Sequence, residues 1–173
     1  WFYGFRDLAT NGVDKPVLNV FRMFGMMEGN RIWAESNRMY PLETVLDSSI
    51  RGPKTDIGVL ATKDTKSCAV MVWSYHDVDS QGPAEAVSVT LNNIPVKSAT
   101  LNIYLIDDEN SNSYEVWKKM GSPQKPSEQQ ISTLEKAGQL KRVINKKIQT
   151  SEGTAVVPLQ LKRQAVALIK LDW

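Results

Sequence analysis

Few side chains in this sequence have the types and spacing that acid–base or metal chemistry needs. His76, the one histidine of the chain, is followed by Asp77 and Asp79, a set that could bind a metal or move a proton at a strand end. One imidazole cannot supply the two or three histidines of common zinc sites, and nothing beside it supplies a nucleophile. We therefore expect His76 to be a structural or surface residue.

The oxygen-rich run at residues 107–113, Asp-Asp-Glu-Asn-Ser-Asn-Ser, is similar in composition to a calcium-binding loop. An EF-hand loop needs glycine at its sixth position and a bidentate glutamate at its twelfth. Counting from Asp107, the sixth residue is not glycine and the twelfth is Lys118. Asx turns and the cap of a following helix explain the same residues. The sequence therefore predicts neither a metal nor a cofactor.

Aromatic side chains are the remaining candidates for ligand binding, because a flat ring stacks well on the apolar face of a sugar. Trp73 lies inside an apolar run, so we expect it in the core. Trp33 and Trp117 stand in less regular surroundings and are our candidate substrate-binding residues, although buried aromatic residues look the same in a sequence. No pair of glutamates marks an acid and a nucleophile, and we assign no catalytic residue.

Composition narrows the class of partner. Lys and Arg exceed Asp and Glu only enough to give a formal net charge of +2, which is too little to predict nucleic-acid or anionic-membrane binding. No apolar run approaches the roughly 18–20 residues of a membrane-spanning helix. A single cysteine, Cys68, rules out an internal disulfide framework. A carbohydrate or a protein partner stays open.

The elements that would position these residues are mainly strands. Residues 68–76 carry apolar side chains on both faces, Val70 and Val72 on one and Ala69, Met71 and Trp73 on the other, as in a central strand covered on both sides. Residues 165–169 look similar. Further strands are predicted at residues 31–36, 57–61, 87–91, 101–105, 143–148 and 155–161, with Pro158 placing the last of these at an edge. The pattern predicts an antiparallel β-sandwich.

Three helices accompany the strands. The first covers residues 14–28, with Asp14 as its N-cap, and is apolar enough to require a large partner. Two short helices form an insertion at residues 113–138, the first capped by Ser113 and the second opened by a capping box at Ser127. If its partner is missing, the first helix should dock on the sandwich or expose an apolar face.

The chain opens on Trp1-Phe2-Tyr3-Gly4-Phe5, without an initiator Met or a charged leader followed by an apolar segment. We expect it to have been cut from a longer protein, so the sequence does not indicate a compartment.

Several stretches together resemble the C-terminal part of a β-xylosidase of glycoside hydrolase family 39. They are residues 12–21 (GVDKPVLNVF), 70–77 (VMVWSYHD) and 106–124 (IDDENSNSYEVWKKMGSPQ), with a similar closing strand at 161–166. The third stretch is the most specific, because family members carry a similar Ser-Asn-x-Tyr, Trp and Met-Gly-Ser-Pro run. The resemblance extends over nearly the whole chain.

The resemblance implies that a (β/α)₈ barrel precedes this region and carries the two catalytic glutamates, so both would lie before Trp1. Residues 1–29 would be the remnant of the last barrel strand, loop and helix, and residues 30–173 the accessory sandwich. The chain alone would then be inactive, and its main partner would be the catalytic barrel of the parent enzyme. The parent would hydrolyse β-1,4-xylosides through two carboxyl groups.

Two alternatives remain open. The domain could be a carbohydrate-binding module for xylo-oligosaccharides, using Trp33 or Trp117, or it could be a structural domain that forms homo-oligomers. Fold-level analogy does not decide among them.

Overall fold

The computed structural model describes residues 1–4, 7–78 and 82–173. In chain order the elements are β1 (Ala9–Thr10), β2 (Val13–Asp14), α1 (Pro16–Gly25), β3 (Asn30–Ile32), α2 (Leu42–Ser48), β4 (Asp56–Lys63), β5 (Ser67–Tyr75), β6 (Glu85–Leu91), β7 (Ser98–Ile106), α3 (Ser113–Lys119), α4 (Glu128–Gly138), β8 (Lys141–Gln149), β9 (Ala155–Leu161) and β10 (Val166–Asp172). The predicted mainly β fold with antiparallel sheets is confirmed.

The strands form two main layers. Six of them pair in the order β3-β4-β5-β10-β7-β8, and every pairing is antiparallel. β6 and β9 pair only with each other, so Pro158, opposite Ser88, lies in an edge strand as expected. The main core lies between the six-stranded sheet and this β6–β9 ribbon, and it joins Val72 and Ile169 of the sheet to Val157 and Leu161 of the ribbon.

Strand β5 is central and covered on both faces, as its sequence predicts. Val70 and Val72 belong to the main core, whereas Ala69 and Met71 belong to a second core on the opposite face of the same strand. Trp73 lies at the edge of that second core. It covers Gly58 of β4, where an added Cβ would lie 2.2 Å from the indole ring, so the glycine makes room for the tryptophan.

The second core is closed by α1. Met23 is fully buried against the sheet, with Val20, Met26 and Met27 packed around the same cluster. The helix is shorter than the predicted 14–28. Asp14 is not its N-cap, because Asp14 belongs to β2 and its carboxylate binds Arg22 at 2.8 Å, while Lys15 occupies the cap position and Pro16 the first turn.

The remaining helices follow the sequence in part. The capping box of α4 is confirmed, since Ser127 accepts from the Gln130 amide and the Gln130 side chain accepts from the Ser127 amide. Ser113 does not cap α3; Asn112 does, by accepting from the Glu115 amide at 3.1 Å. Helix α2 was not predicted, and it buries none of its side chains.

Two short strands were also missed. An Asn-Gly turn at residues 11–12 joins β1 to β2 in a small hairpin. No helix in the described part of the chain is long and apolar enough to cross a membrane.

Candidate functional site

His76 lies at the end of β5, where it is 3% exposed and held by backbone groups. Its Nδ1 accepts from the Val78 amide at 2.9 Å, so the proton of the neutral ring is on Nε2, which lies 2.8 Å from the Gly52 carbonyl oxygen. Nε2 therefore holds the loop before β4, and Nδ1 holds the turn that follows β5. Of the carboxylates predicted beside this histidine, Asp79 lies outside the described residues.

Asp77 binds the loop that follows α2. Its carboxylate accepts from the Tyr75 hydroxyl at 2.9 Å and from the Ile50 amide at 2.7 Å. The hydrogen bond from Tyr75 lowers the pKa of Asp77 and raises that of the tyrosine. Within the part of the chain that the structure describes, no group of three or more His, Cys, Asp or Glu side chains is arranged to hold a metal ion.

The run 107–113 is an Asx-type loop. Oδ1 of Asp107 accepts from the amides of Glu109 and Asn110 at 2.8 and 2.7 Å, so this oxygen is bound by the loop's own backbone. The ammonium of Lys162 contacts Asp108 at 2.7 Å and Glu109 at 3.2 Å. A lysine therefore already neutralises the carboxylates that a cation would bind.

The Lys162 hydrogen bond also changes both titrations. It holds the pKa of Asp108 below its usual range, and the same bond raises the pKa of Lys162. A cleft of about 430 Å³ lies beside the loop, and among the described residues that line it Glu109 is the only carboxylate. The lining of this cleft therefore lacks the two carboxyl groups of a glycosidase pair.

Trp117 lies in a third, smaller core. It is 9% exposed, packs with Val13 and Leu134, and donates from Nε1 to the Pro123 carbonyl at 3.0 Å. Tyr114 stacks on its ring with centroids 5.8 Å apart. A ring enclosed in this way has no free face for a sugar, so sugar stacking stays a proposal only for Trp33, which is 79% exposed directly after β3.

The most extensive exposed feature is apolar. In the described residues, most of the exposed large apolar side chains lie in the first 46 positions: Tyr3, Leu8, Val17, Phe21, Phe24, Ile32, Trp33, Met39, Leu42 and Leu46. Three of them, Val17, Phe21 and Phe24, form a stripe on α1, since they are spaced by four and three residues. We call this stripe the outer face of α1. The sequence signal for it was the excess of apolar residues over what one docked face needs.

The chain is similar to enzymes that act on glycosides. The family model described as glycosyl hydrolases family 39 matches residues 1–154. An α-L-iduronidase of Mus musculus is 30% identical over 129 residues, covering 69% of this chain and 19% of that protein. A β-xylosidase of Geobacillus stearothermophilus is 22% identical over 171 residues, covering 98% of this chain and 29% of that protein.

The fold has solved counterparts. A monomeric β-xylosidase from Caulobacter crescentus CB15 superposes with a TM-score of 0.74 at 17% identity, covering 92% of this chain and 31% of that chain. The present chain thus spans less than a third of the length of these relatives. Because the family model matches most of its length, the chain belongs to glycosyl hydrolases family 39.

Proposed function

We propose that this chain is the non-catalytic β-rich region of a longer family 39 glycoside hydrolase, and that it supports the enzyme's catalytic (β/α)₈ barrel. The single observation that carries the proposal is the outer face of α1. Val17, Phe21 and Phe24 are 41%, 57% and 46% exposed, although the same helix buries Met23 completely on its other side.

A helix with two apolar faces is expected where two bodies share it. Apolar patches of this kind on a protein surface mark contacts with another surface, because burying them removes apolar area from water at roughly 25 cal/mol per Å². The part of each relative that this chain matches is less than a third of that relative, so their sequences contain a further body that could cover the stripe. Residues 1–29 would then be the seam between barrel and β region.

The parent reaction that we propose is hydrolysis of β-xylosides with retention, through an acid/base and a nucleophile carboxylate on the barrel. The β-xylosidase relative, aligned over 98% of this chain, supports xylosides. The α-L-iduronidase relative supports a uronic-acid glycoside as the alternative substrate. Whichever of the two substrates the parent enzyme uses, this chain alone does not hydrolyse it, because both carboxylates belong to the barrel.

Carbohydrate binding by the β region is a second candidate function, favoured by the exposure of Trp33. A tryptophan that is 79% exposed beside an edge strand can offer one ring face to a pyranose. The same exposure also suits a contact with the barrel.

Activity and binding measurements on one preparation distinguish the barrel-supporting function from the carbohydrate-binding function. We expect no hydrolysis of p-nitrophenyl β-xyloside or of a fluorogenic α-L-iduronide above a buffer blank, and no heat of binding with xylotriose. Hydrolysis by this chain would overturn the proposal. Saturable binding of xylotriose that Trp33→Ala abolishes would instead establish the carbohydrate-binding function.

Sedimentation velocity tests the outer face of α1 itself. We expect weak, concentration-dependent self-association that the pair Phe21→Glu and Phe24→Lys suppresses without changing net charge. The matched control is Val156→Glu with Val143→Lys, which changes two exposed apolar residues of β9 and β8. A stable dimer insensitive to the α1 pair would favour the oligomerisation role and count against the seam.

A further inference from the structure

The N-terminal segment, residues 1–4, lies against the helical insertion formed by α3 and α4. The Phe2 ring is 5.4 Å from the ring centroids of both Trp117 and Tyr114. Val13 and Leu134, each fully buried, complete this third core. The segment is therefore packed on its apolar side by the insertion and by Val13 of β2.

Polar contacts hold the backbone of the same segment. Lys15 is only 9% exposed, and its ammonium donates to the carbonyls of Tyr3 and Gly4 at 2.6 and 2.5 Å. The side chains of Thr10 and Asn11 both donate to the Trp1 carbonyl at 3.1 Å. A buried ammonium needs its hydrogen bonds, so the position of Lys15 depends on the segment staying in place.

The insertion is fixed in turn to α1 and β2. Asn19, fully buried on α1, donates to the carbonyls of Ser111 and Gly138 at 3.1 and 2.8 Å. The Ser113 hydroxyl donates to the Asp14 carbonyl at 2.5 Å. The end of α4 comes so close to β2 that a Cβ on Gly138 would lie 2.6 Å from the Asp14 carbonyl oxygen.

These contacts form one continuous path from the segment to the sheet, because α1 docks on the sheet through Met23. We propose that the insertion is a clamp that holds the N-terminal segment, and whatever precedes it, in a fixed position on the β region. This rests on the proposed function, under which the preceding part is the catalytic barrel. The partner of the insertion is thus the final loop of that barrel, carried by this chain as residues 1–15.

Hydrogen exchange, read by mass spectrometry on peptides of residues 1–15, tests the clamp in this chain. Ser113→Ala removes the bond to Asp14, and Lys15→Met removes the two bonds that the Lys15 ammonium makes to Tyr3 and Gly4. We expect each variant to speed exchange in residues 7–15 about tenfold, the effect of one or two lost hydrogen bonds, while β5 and β10 exchange as before. Thr133→Val is the matched control, because its hydroxyl bonds within α4 to the Gln129 carbonyl.

Two results would overturn the clamp. One is exchange in residues 7–15 that stays at the level of the Thr133→Val control in both variants. The other is exchange that rises equally in β5 and β10, since that would make these contacts general packing. If Ser113→Ala fails to fold, Lys15→Met still tests the clamp, because this substitution changes no residue of α3 or of the six-stranded sheet. Either failure leaves the proposed barrel contact at the outer face of α1 standing, because that contact rests on Val17, Phe21 and Phe24 and is tested by sedimentation.

Discussion

The two apolar faces of α1 should respond very differently to truncation. Met23 is fully buried among Ala69, Met71, Ile106 and Leu168, so Met23→Ala removes a packed side chain and leaves a cavity. Substitutions of this kind cost about 2–5 kcal/mol of unfolding free energy.

Phe21→Ala, two residues away, should cost far less. Phe21 is 57% exposed, so less than half of its transfer free energy, about 1 kcal/mol, is realised in the folded chain. Alanine returns about 0.5 kcal/mol through its higher helix propensity, which leaves a net loss of about 0.5 kcal/mol.

Urea unfolding followed by tryptophan fluorescence measures both variants, at protein concentrations below the onset of self-association. Equal m-values would show that the change lies in stability and not in the compactness of the unfolded chain. If Phe21→Ala lowers the free energy of unfolding as much as Met23→Ala does, the reasoning is refuted, because the outer face of α1 would then be packed within this chain. If Met23→Ala leaves the free energy of unfolding almost unchanged, α1 is not docked on the sheet.

Two further changes test the sheet and the loop beside it. Gly58→Ala should cost about 1–3 kcal/mol and alter the fluorescence of Trp73, because the new methyl would overlap the indole ring; unchanged stability and fluorescence would contradict the described packing. Asp108 has a lowered pKa in the folded chain, so its contribution is present above the unfolded pKa and is lost as the pH falls through the folded value. Lys162→Met should therefore reduce the loss of stability as the pH falls below about 5, by no more than about 1 kcal/mol at this exposure. Lys125→Met, at an exposed residue outside this loop, should leave that loss unchanged.

The sequence was most informative where burial is two-sided and periodic. The face assignment of β5 followed from alternation alone, because a one-residue shift would exchange its two cores. The capping box at Ser127 was equally readable, since both of its partners are local. The cap of α3 could not be predicted from local sequence, because the Ser113 hydroxyl donates to the carbonyl of Asp14, which is remote in sequence.

Trp117 shows why the candidate site was harder to predict than the fold. Its burial depends on Val13 and on Phe2, more than 100 residues earlier, and no local pattern reports such a contact. Helix α2 was not predicted for the opposite reason. It buries no side chain, and its Leu42 and Leu46 are exposed, so the sequence carries no amphipathic signal there.

The over-apolar composition of α1 has an energetic consequence for the whole enzyme we propose. An isolated helix of this length is marginal in water, so α1 depends on what its faces bury. The β region covers only the face of Met23, and the barrel would cover the face of Phe21 and Phe24. If both bodies stabilise one helix, neither can release it without weakening the other. The stabilities of the two domains are then coupled through residues 16–25, and the clamp at the insertion keeps the N-terminal end of that shared helix in place.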